Sequence, residues 1–189
     1  RKEYRDGGYG AGGVGFEAYG SGARASVRLD NKSAPGCLVD FLYYKQKKGG
    51  KFQLIANKEE YAELDTLSEV PSVGTHSQEF STCPTKLTIR VSSSGRTRVY
   101  GWNVTYKQPG VSWSSMGVNG SRFTHLRHYA PGNIGESFAS LKPDLFVFSF
   151  GLNLSSVANR PNISYRKTVD EIIKRFRKES PNIECLIMS

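Results

Sequence analysis

The sequence predicts an α+β protein in which an antiparallel β-sandwich gives way to an incomplete α/β layer. Two observations carry that prediction. Between about residues 25 and 107, short runs rich in β-branched and aromatic residues alternate with turn residues, and no helix of convincing period interrupts them. After Pro109-Gly110 the pattern becomes strand, helix, strand, helix, strand, and its strands are nearly continuous apolar runs, which suits parallel strands covered on both faces. A chain of 189 residues is long enough to bury a core as one large domain or two small ones.

Arg1-Lys-Glu-Tyr-Arg-Asp6 reads as the charged tail of a helix, and Gly10-Ala-Gly12-Gly13-Val-Gly15 follows it. Those glycines match the dinucleotide-binding fingerprint in letters. The fingerprint requires a strand before it and a helix after it, however, and here charged residues precede and Phe16-Glu-Ala-Tyr-Gly20 follows, so a connecting loop is expected. Sandwich strands are predicted at 25–29, 37–44, 51–56, 86–92 and 98–106. In Leu87-Thr-Ile-Arg-Val91 the apolar residues alternate, turning one face inward and the other to water. Lys45-Gln-Lys-Lys-Gly-Gly-Lys51 reads as a hairpin tip and Ser93-Ser-Gly95 as a turn.

Parallel strands are predicted at 111–116, 145–150 and 185–188. The strongest helix is 165–179, with Val169, Ile172, Ile173 and Phe176 on one face, charges on the other, Ser164 to cap its start and Pro181 after its end. A weaker helix is predicted at 134–141.

The formal charge of +9 raises the question of an anionic partner: glycan, nucleic acid or membrane surface. The basic residues are scattered, residues 166–178 read as the wet face of a helix, and no nucleic-acid recognition motif is present, so no nucleic acid is expected. No stretch is long and apolar enough to span a bilayer. Cys37, Cys83 and Cys185 are an odd set without a Cys-x-x-Cys pair, which argues against structural zinc. Cys37 and Cys83 could form one disulfide, and Cys185 reads as a buried thiol. His125 and His128 have ligand-like spacing but no third partner nearby in sequence, and His76 stands alone, so neither a metal nor a cofactor is expected.

The segment Leu145-Phe-Val-Phe-Ser-Phe-Gly-Leu-Asn153 is the most informative in the chain. An apolar strand ending in Gly-x-Asn presents a side-chain amide at the carboxyl edge of a sheet, where open α/β sheets bind ligands. Upstream, Val111-Ser-Trp-Ser-Ser-Met-Gly-Val-Asn-Gly120 also runs into a glycine-bearing loop. A backbone N–H from that loop and the amide of Asn153 could together hold an oxyanion. Asn119 and Asn153 also fit as turn residues at strand ends.

Met116-Gly-Val-Asn-Gly-Ser-Arg122 and Lys142-Pro-Asp-Leu-Phe-Val-Phe-Ser-Phe-Gly-Leu-Asn153 resemble the second and third sequence blocks of the SGNH (GDSL-type) serine esterases. Gly101-Trp102 and Pro109-Gly110-Val111 resemble the exit from a β-sandwich inserted into the esterase domain in the bacterial peptidoglycan O-acetylesterase branch. Arg1 to Gly8 resembles the turn that precedes that insertion.

The resemblance implies a jelly-roll-like, carbohydrate-binding sandwich (17–108) inserted into an incomplete three-layer, flavodoxin-like domain (109–189), with 1–16 as the tail of its first helix and a connection. It implies an exported esterase, periplasmic or at the cell surface, that removes O-acetyl groups from a cell-wall polysaccharide or a related ester. Gly120, with Gly117 as the alternative, and Asn153 would be its oxyanion donors. Tyr43, Tyr44, Phe52, Tyr61 and Trp102 become candidates to stack on sugars.

The serine block and the Asp-x-x-His block of the family are absent from these residues. The chain alone is therefore expected to be inactive, its sheet completed by flanking sequence or a companion chain. Leu152 and Leu154 stand where the branch usually has polar neighbours of the Asn. The alternative is a non-catalytic carbohydrate-binding module or an inactive relative.

Overall fold

Alternation of apolar and polar side chains builds residues Gly15–Ser114, one of two units into which the chain divides, as two four-stranded sheets. The protein is described here from a computed structural model, covering residues 6–30, 35–118, 121–130, 132–150 and 162–188, with side chains from 166 onward in the last segment. The strands are β1 (Phe16–Tyr19), β2 (Arg24–Arg28), β3 (Cys37–Lys45), β4 (Lys51–Ala56), β5 (Glu59–Asp65), β6 (Ser72–Phe80), β7 (Lys86–Val91) and β8 (Arg96–Tyr106). One sheet has the order β1-β8-β3-β6 and the other β2-β7-β4-β5, and every pairing in them is antiparallel.

Their inward residues form the core. Phe41, Tyr43, Phe52, Leu54, Ile89 and Val99 make one cluster, and Cys37, Val39, Cys83 and Leu87 a second. Each large apolar side chain buried this way contributes about 1.5–3 kcal/mol. Cys37 is bonded to Cys83, as the sequence suggested, which ties the start of β3 to the loop between β6 and β7.

The basic segment 45–51 is not a hairpin tip. β3 and β4 lie in different sheets, so the segment is a corner that carries the chain from one to the other. Gln46 explains the difference: it is buried at 4% exposure, and its side-chain amide donates to the Arg96 carbonyl at 2.9 Å, anchoring the corner in the protein.

A buried ion cluster joins β1 to β8. Glu17 Oε2 accepts from Arg96 Nε at 2.7 Å and from Arg98 Nε at 2.8 Å, and the side chains of Glu17 and Arg98 are 0% and 1% exposed. Arg98 also lies over the Tyr44 ring, 5.3 Å from its centroid. Charges removed from water this far persist only when paired and hydrogen-bonded.

The other unit comprises Arg1–Val14 and Ser115–Ser189. Its elements are a 3₁₀ helix (Phe123–His128), α1 (Asn133–Ala139), β9 (Leu145–Ser149), α2 (Asn162–Glu179) and β10 (Glu184–Met188). β9 and β10 pair in parallel, Leu145 opposite Glu184 and Ser149 opposite Met188. Phe123, Tyr129, Ile134, Phe138, Phe148, Ile172 and Phe176 form the core. Ile172 and Phe176 are the buried centre of the apolar helical face expected from the sequence, with Val169 and Ile173 half-buried beside them. The helix begins at Asn162, which places Ser164 inside its first turn rather than at the cap. Gly135 in α1 permits the close approach of α2: a Cβ there would sit 2.5 Å from Glu179 Cγ and 2.9 Å from the Arg175 carbonyl oxygen.

Two expectations for this part fail. Residues 111–116 form no strand, and Val111 and Trp113 are 98% and 74% exposed. Within the segment only Met116 packs on a core, so the alternating buried face that a strand needs is missing. The parallel strands number two among the described residues, and they are not covered on both faces: Leu186, Ile187 and Met188, successive and therefore pointing alternately to opposite faces, are 48%, 53% and 52% exposed. Cys185 is a free thiol, half-buried rather than buried.

Candidate functional site

Gly120 and Asn153 lie outside the described residues, as do Asn119, Leu152 and Leu154. What the structure does describe is how their flanks are held. β9 is a half-buried parallel strand whose continuation, Phe150, belongs to the apolar core, and the next residue begins Gly151-Leu-Asn153. The other block, Met116-Gly-Val-Asn-Gly-Ser-Arg122, leads directly into the 3₁₀ helix, whose first residue, Phe123, is 1% exposed.

These two flanks meet. The Phe123 and Phe150 rings pack edge to face with centroids 5.2 Å apart, and Phe123 makes a similar contact with Phe148 at 5.4 Å. Phe123 is three residues after Gly120, and Phe150 is three before Asn153. Aromatic pairs of this geometry add about 0.5–1.5 kcal/mol beyond their buried area, so the contact is a fixed point of the core. Gly117, the alternative donor, lies in the irregular stretch before the 3₁₀ helix with open space around its Cα.

The glycine-rich N-terminal segment packs beneath the same region. Gly7 has a φ of +73° and accepts a hydrogen bond from Ala130 N at 2.9 Å, where a Cβ would come within 2.3 Å of that nitrogen. Asn133 Nδ2 donates to the Tyr9 carbonyl, and the Tyr9 and Tyr129 rings lie 5.5 Å apart. Burial pushes the Tyr129 hydroxyl up to about 12, with Tyr9 adding to the rise. After Gly15 comes strand β1 rather than a helix, so the segment lacks the helix N-terminus that a dinucleotide-binding turn needs. Gly7 and Gly13 serve close packing instead, a Cβ on Gly13 falling 2.9 Å from Val118 Cγ2 and 3.0 Å from the Tyr129 hydroxyl.

His125 and His128 are exposed on the 3₁₀ helix with ring centroids 6.3 Å apart, and His125 Nδ1 accepts from the Arg122 backbone N–H at 3.2 Å. No group of three or more His, Cys, Asp or Glu side chains arranged to hold a metal occurs among the described residues. Arg127 ties the 3₁₀ helix to α2 through Glu171, Nη2 to Oε2 at 2.9 Å.

The aromatic residues singled out for sugar stacking are core residues. Tyr43 and Tyr44 are only 6% and 5% exposed and Phe52 is fully buried. Trp102 is half-buried with its ring 5.1 Å from Phe41, and Tyr61 packs on Phe80 and His76. The Tyr61 hydroxyl is pushed up to about 12 by burial, a rise that the neighbouring Trp102 indole only trims. Tyr43 points into the sandwich, where inward strand positions are filled by the facing sheet, whereas Tyr44, the next residue and so on the opposite face, packs against Tyr100 and the Arg98 guanidinium. Among the described residues the exposed aromatic rings are Phe16, Tyr19 and Trp113, none of which the sequence pattern distinguished.

No family model matches the sequence, and no curated protein matches it. Its fold is shared with solved structures. One described as "Peptidoglycan O-acetylesterase in action, 5 min" has a TM-score of 0.71 at 18% identity, over 98% of this chain and 49% of that one. The chain thus spans about half the length of that structure. Weaker likenesses include a family 35 carbohydrate binding module from an environmental isolate, with a TM-score of 0.38 and 13% identity over 50% of this chain and 74% of that one. A family two carbohydrate esterase from Clostridium thermocellum in complex with cellohexaose has a TM-score of 0.36 at 8% identity, over 90% of this chain and 72% of that one.

Proposed function

We propose that the chain is part of an SGNH-type serine esterase that removes O-acetyl groups from a cell-wall polysaccharide, and that Gly120 and Asn153 supply two of its oxyanion donors. The observation that carries this reading is the Phe123–Phe150 contact, which joins the described flanks of the two donor segments in one core. Support also comes from the fold shared with a peptidoglycan O-acetylesterase over nearly the whole chain. In this reading the sandwich, 17–108, is an insertion into an α/β domain. Flanking polypeptide or a companion chain brings the serine, histidine and aspartate and covers the exposed residues of β10. The Cys37–Cys83 bond suits export to an oxidising compartment.

The chemistry assigned to this chain is electrostatic. As a serine attacks the acetyl carbonyl, charge gathers on its oxygen. The Gly120 N–H and the Asn153 amide N–H donate to that oxygen more strongly in the transition state than to the neutral ester. Glycine allows the backbone close to the acyl group, and losing one such donor costs about 10²–10³ in rate. Leu152 and Leu154, standing where the branch usually has polar neighbours of the Asn, would make the site more apolar, and a less polar site strengthens a hydrogen bond to developing charge.

The test is kinetic, on the intact gene product with an aryl acetate and O-acetylated peptidoglycan. Asn153→Ala should lower kcat about 10²–10³-fold with little change in KM, while the 189-residue chain alone should show negligible turnover. An unchanged kcat in the variant, or full activity of the isolated chain, overturns the assignment. An intact product without activity identifies a non-catalytic relative instead.

A further inference from the structure

We propose that the outer face of the second sheet, where β2 runs beside β7, binds a linear anionic polysaccharide through Arg24, Arg28, Lys86 and Arg90. Leu87, Ile89 and Val91 of β7 are buried, so Lys86, Thr88 and Arg90 point outward. The antiparallel register sets Arg24 opposite Arg90, Ser26 opposite Thr88 and Arg28 opposite Lys86. The result is two pairs of like charges on one face, separated by a hydroxyl pair in which Ser26 Oγ and Thr88 Oγ1 are 2.8 Å apart.

That arrangement works against the fold, because like charges directly opposite one another across strands are destabilising. Protein carboxylates do little to relieve it. Arg90 reaches Glu60 at 3.8 Å and donates to Gln53 Oε1, while Arg24, Arg28 and Lys86 make no ion pair among the described residues. Charging an edge strand against aggregation would explain Arg24 and Arg28 on β2. It does not explain cations opposite them on β7, an interior strand flanked by β2 and β4. An anionic ligand relieves both pairs at once.

The spacing suits a polymer. The backbone positions of paired residues lie about 5 Å apart across the strands, and the two pairs about 14 Å apart along them. The exposed, pleated face suits an extended chain with negative charges at intervals rather than a single compact anion. The central hydroxyls are placed to hydrogen-bond sugar hydroxyls between the charged groups. Each exposed contact is weak by itself and screened by salt, so repetition along the polymer is what yields measurable binding.

The site is independent of the esterase reading, since it is measured by binding and contains no candidate catalytic residue. The 189-residue chain should bind polygalacturonate at low salt. It should bind the fully methyl-esterified polymer, which has the same backbone without charge, at least about 10-fold more weakly, and affinity should fall as salt rises. Arg24→Gln/Arg28→Gln should weaken polygalacturonate binding about 10-fold. Lys167→Gln/Lys174→Gln, which removes the same charge from exposed positions on α2, should change it less than about 2-fold. Near-UV circular dichroism checks that each variant is folded.

Equal losses in the two double variants would reduce the effect to net charge and overturn the proposal. So would equal binding of the methyl ester. Tighter binding of duplex DNA, lost in Arg24→Gln/Arg28→Gln, would reassign the face to nucleic acid. Salt-sensitive self-association of the free chain, abolished by the same variant, would reassign it to the acidic β5 edge of a second copy.

Discussion

Replacing Cys37 and Cys83 with alanine should lower the unfolding free energy of the sandwich by about 4 kcal/mol. The bond joins residues 46 apart in sequence, and the loop it closes holds strands of both sheets, β3 through β6. The chain-entropy relation for a closed loop of that length gives about 13.5 cal/mol/K, or about 4 kcal/mol at 25 °C. For a unit of this size each kcal/mol moves Tm by about 4–8 °C, so the midpoint should fall by about 16–32 °C. In urea the shift should be about 1–4 M, depending on the slope. The assay is intrinsic fluorescence in the 189-residue chain. Both tryptophans, Trp102 and Trp113, lie within Gly15–Ser114, and half-buried Trp102 supplies the change on unfolding. Oxidised protein, protein reduced under denaturing conditions and the double alanine variant are compared. A difference below about 1 kcal/mol would refute the reasoning, because the bond would then impose little constraint on the unfolded chain.

Glu17→Ala should cost about 3–5 kcal/mol, since it leaves Arg98 without its carboxylate in a site that is 1% exposed. Glu17→Ala/Arg98→Met should recover much of that loss in the same urea assay, and a single-variant cost under about 1 kcal/mol would end the claim that the cluster is energetically coupled. Alkaline stability tests Tyr61. Burial raises its hydroxyl from 10.0 to about 12 in the folded chain. The folded state therefore holds this proton more tightly than the unfolded state, so the stability is intact below pH 10 and lost as pH rises through about 12. Urea midpoints should decline less steeply between pH 10 and 12 in Tyr61→Phe than in the parent, and parallel declines would show that Tyr61 does not contribute.

Strands with a buried face could be read from the residues alone. The expected 51–56 coincides with β4, and the ends of β7 and β9 were placed to within one residue. The strands that went unrecognised lie at sheet edges. β5 carries Glu59, Glu60, Glu63 and Asp65, β6 is largely polar, and the buried side chain of β1 is the charged Glu17. An edge strand needs few apolar residues because its outer side meets water, so period-2 alternation fades there. The opposite error at 111–116 has the same origin. Apolar letters predict a strand only when a partner face exists, and Val111 and Trp113 have none. Residues 45–51 show a third limit: a short turn-rich connection looks the same whether its strands pair or change sheets.

The candidate functional features depend on contacts that sequence spacing does not encode. Arg24 and Arg28 are 58 to 66 residues from Lys86 and Arg90 along the chain, and register alone turns scattered basic residues into a cluster. The same argument bears on the proposed oxyanion donors. Neither Gly120 nor Asn153 is distinctive singly, since glycine and asparagine are ordinary loop residues. Their pairing rests on the Phe123–Phe150 contact, made within a core where Phe148 also meets Phe176 of α2 at 5.4 Å. An oxyanion hole requires donors fixed within a few tenths of an ångström, because a donor that must reorganise loses most of its advantage. A packed aromatic core supplies that rigidity at the described flanks. The exposed Leu186, Ile187 and Met188 leave both faces of β10 partly open. In the proposed reading, the polypeptide that brings the nucleophile would also cover this strand and add to the rigidity of the site.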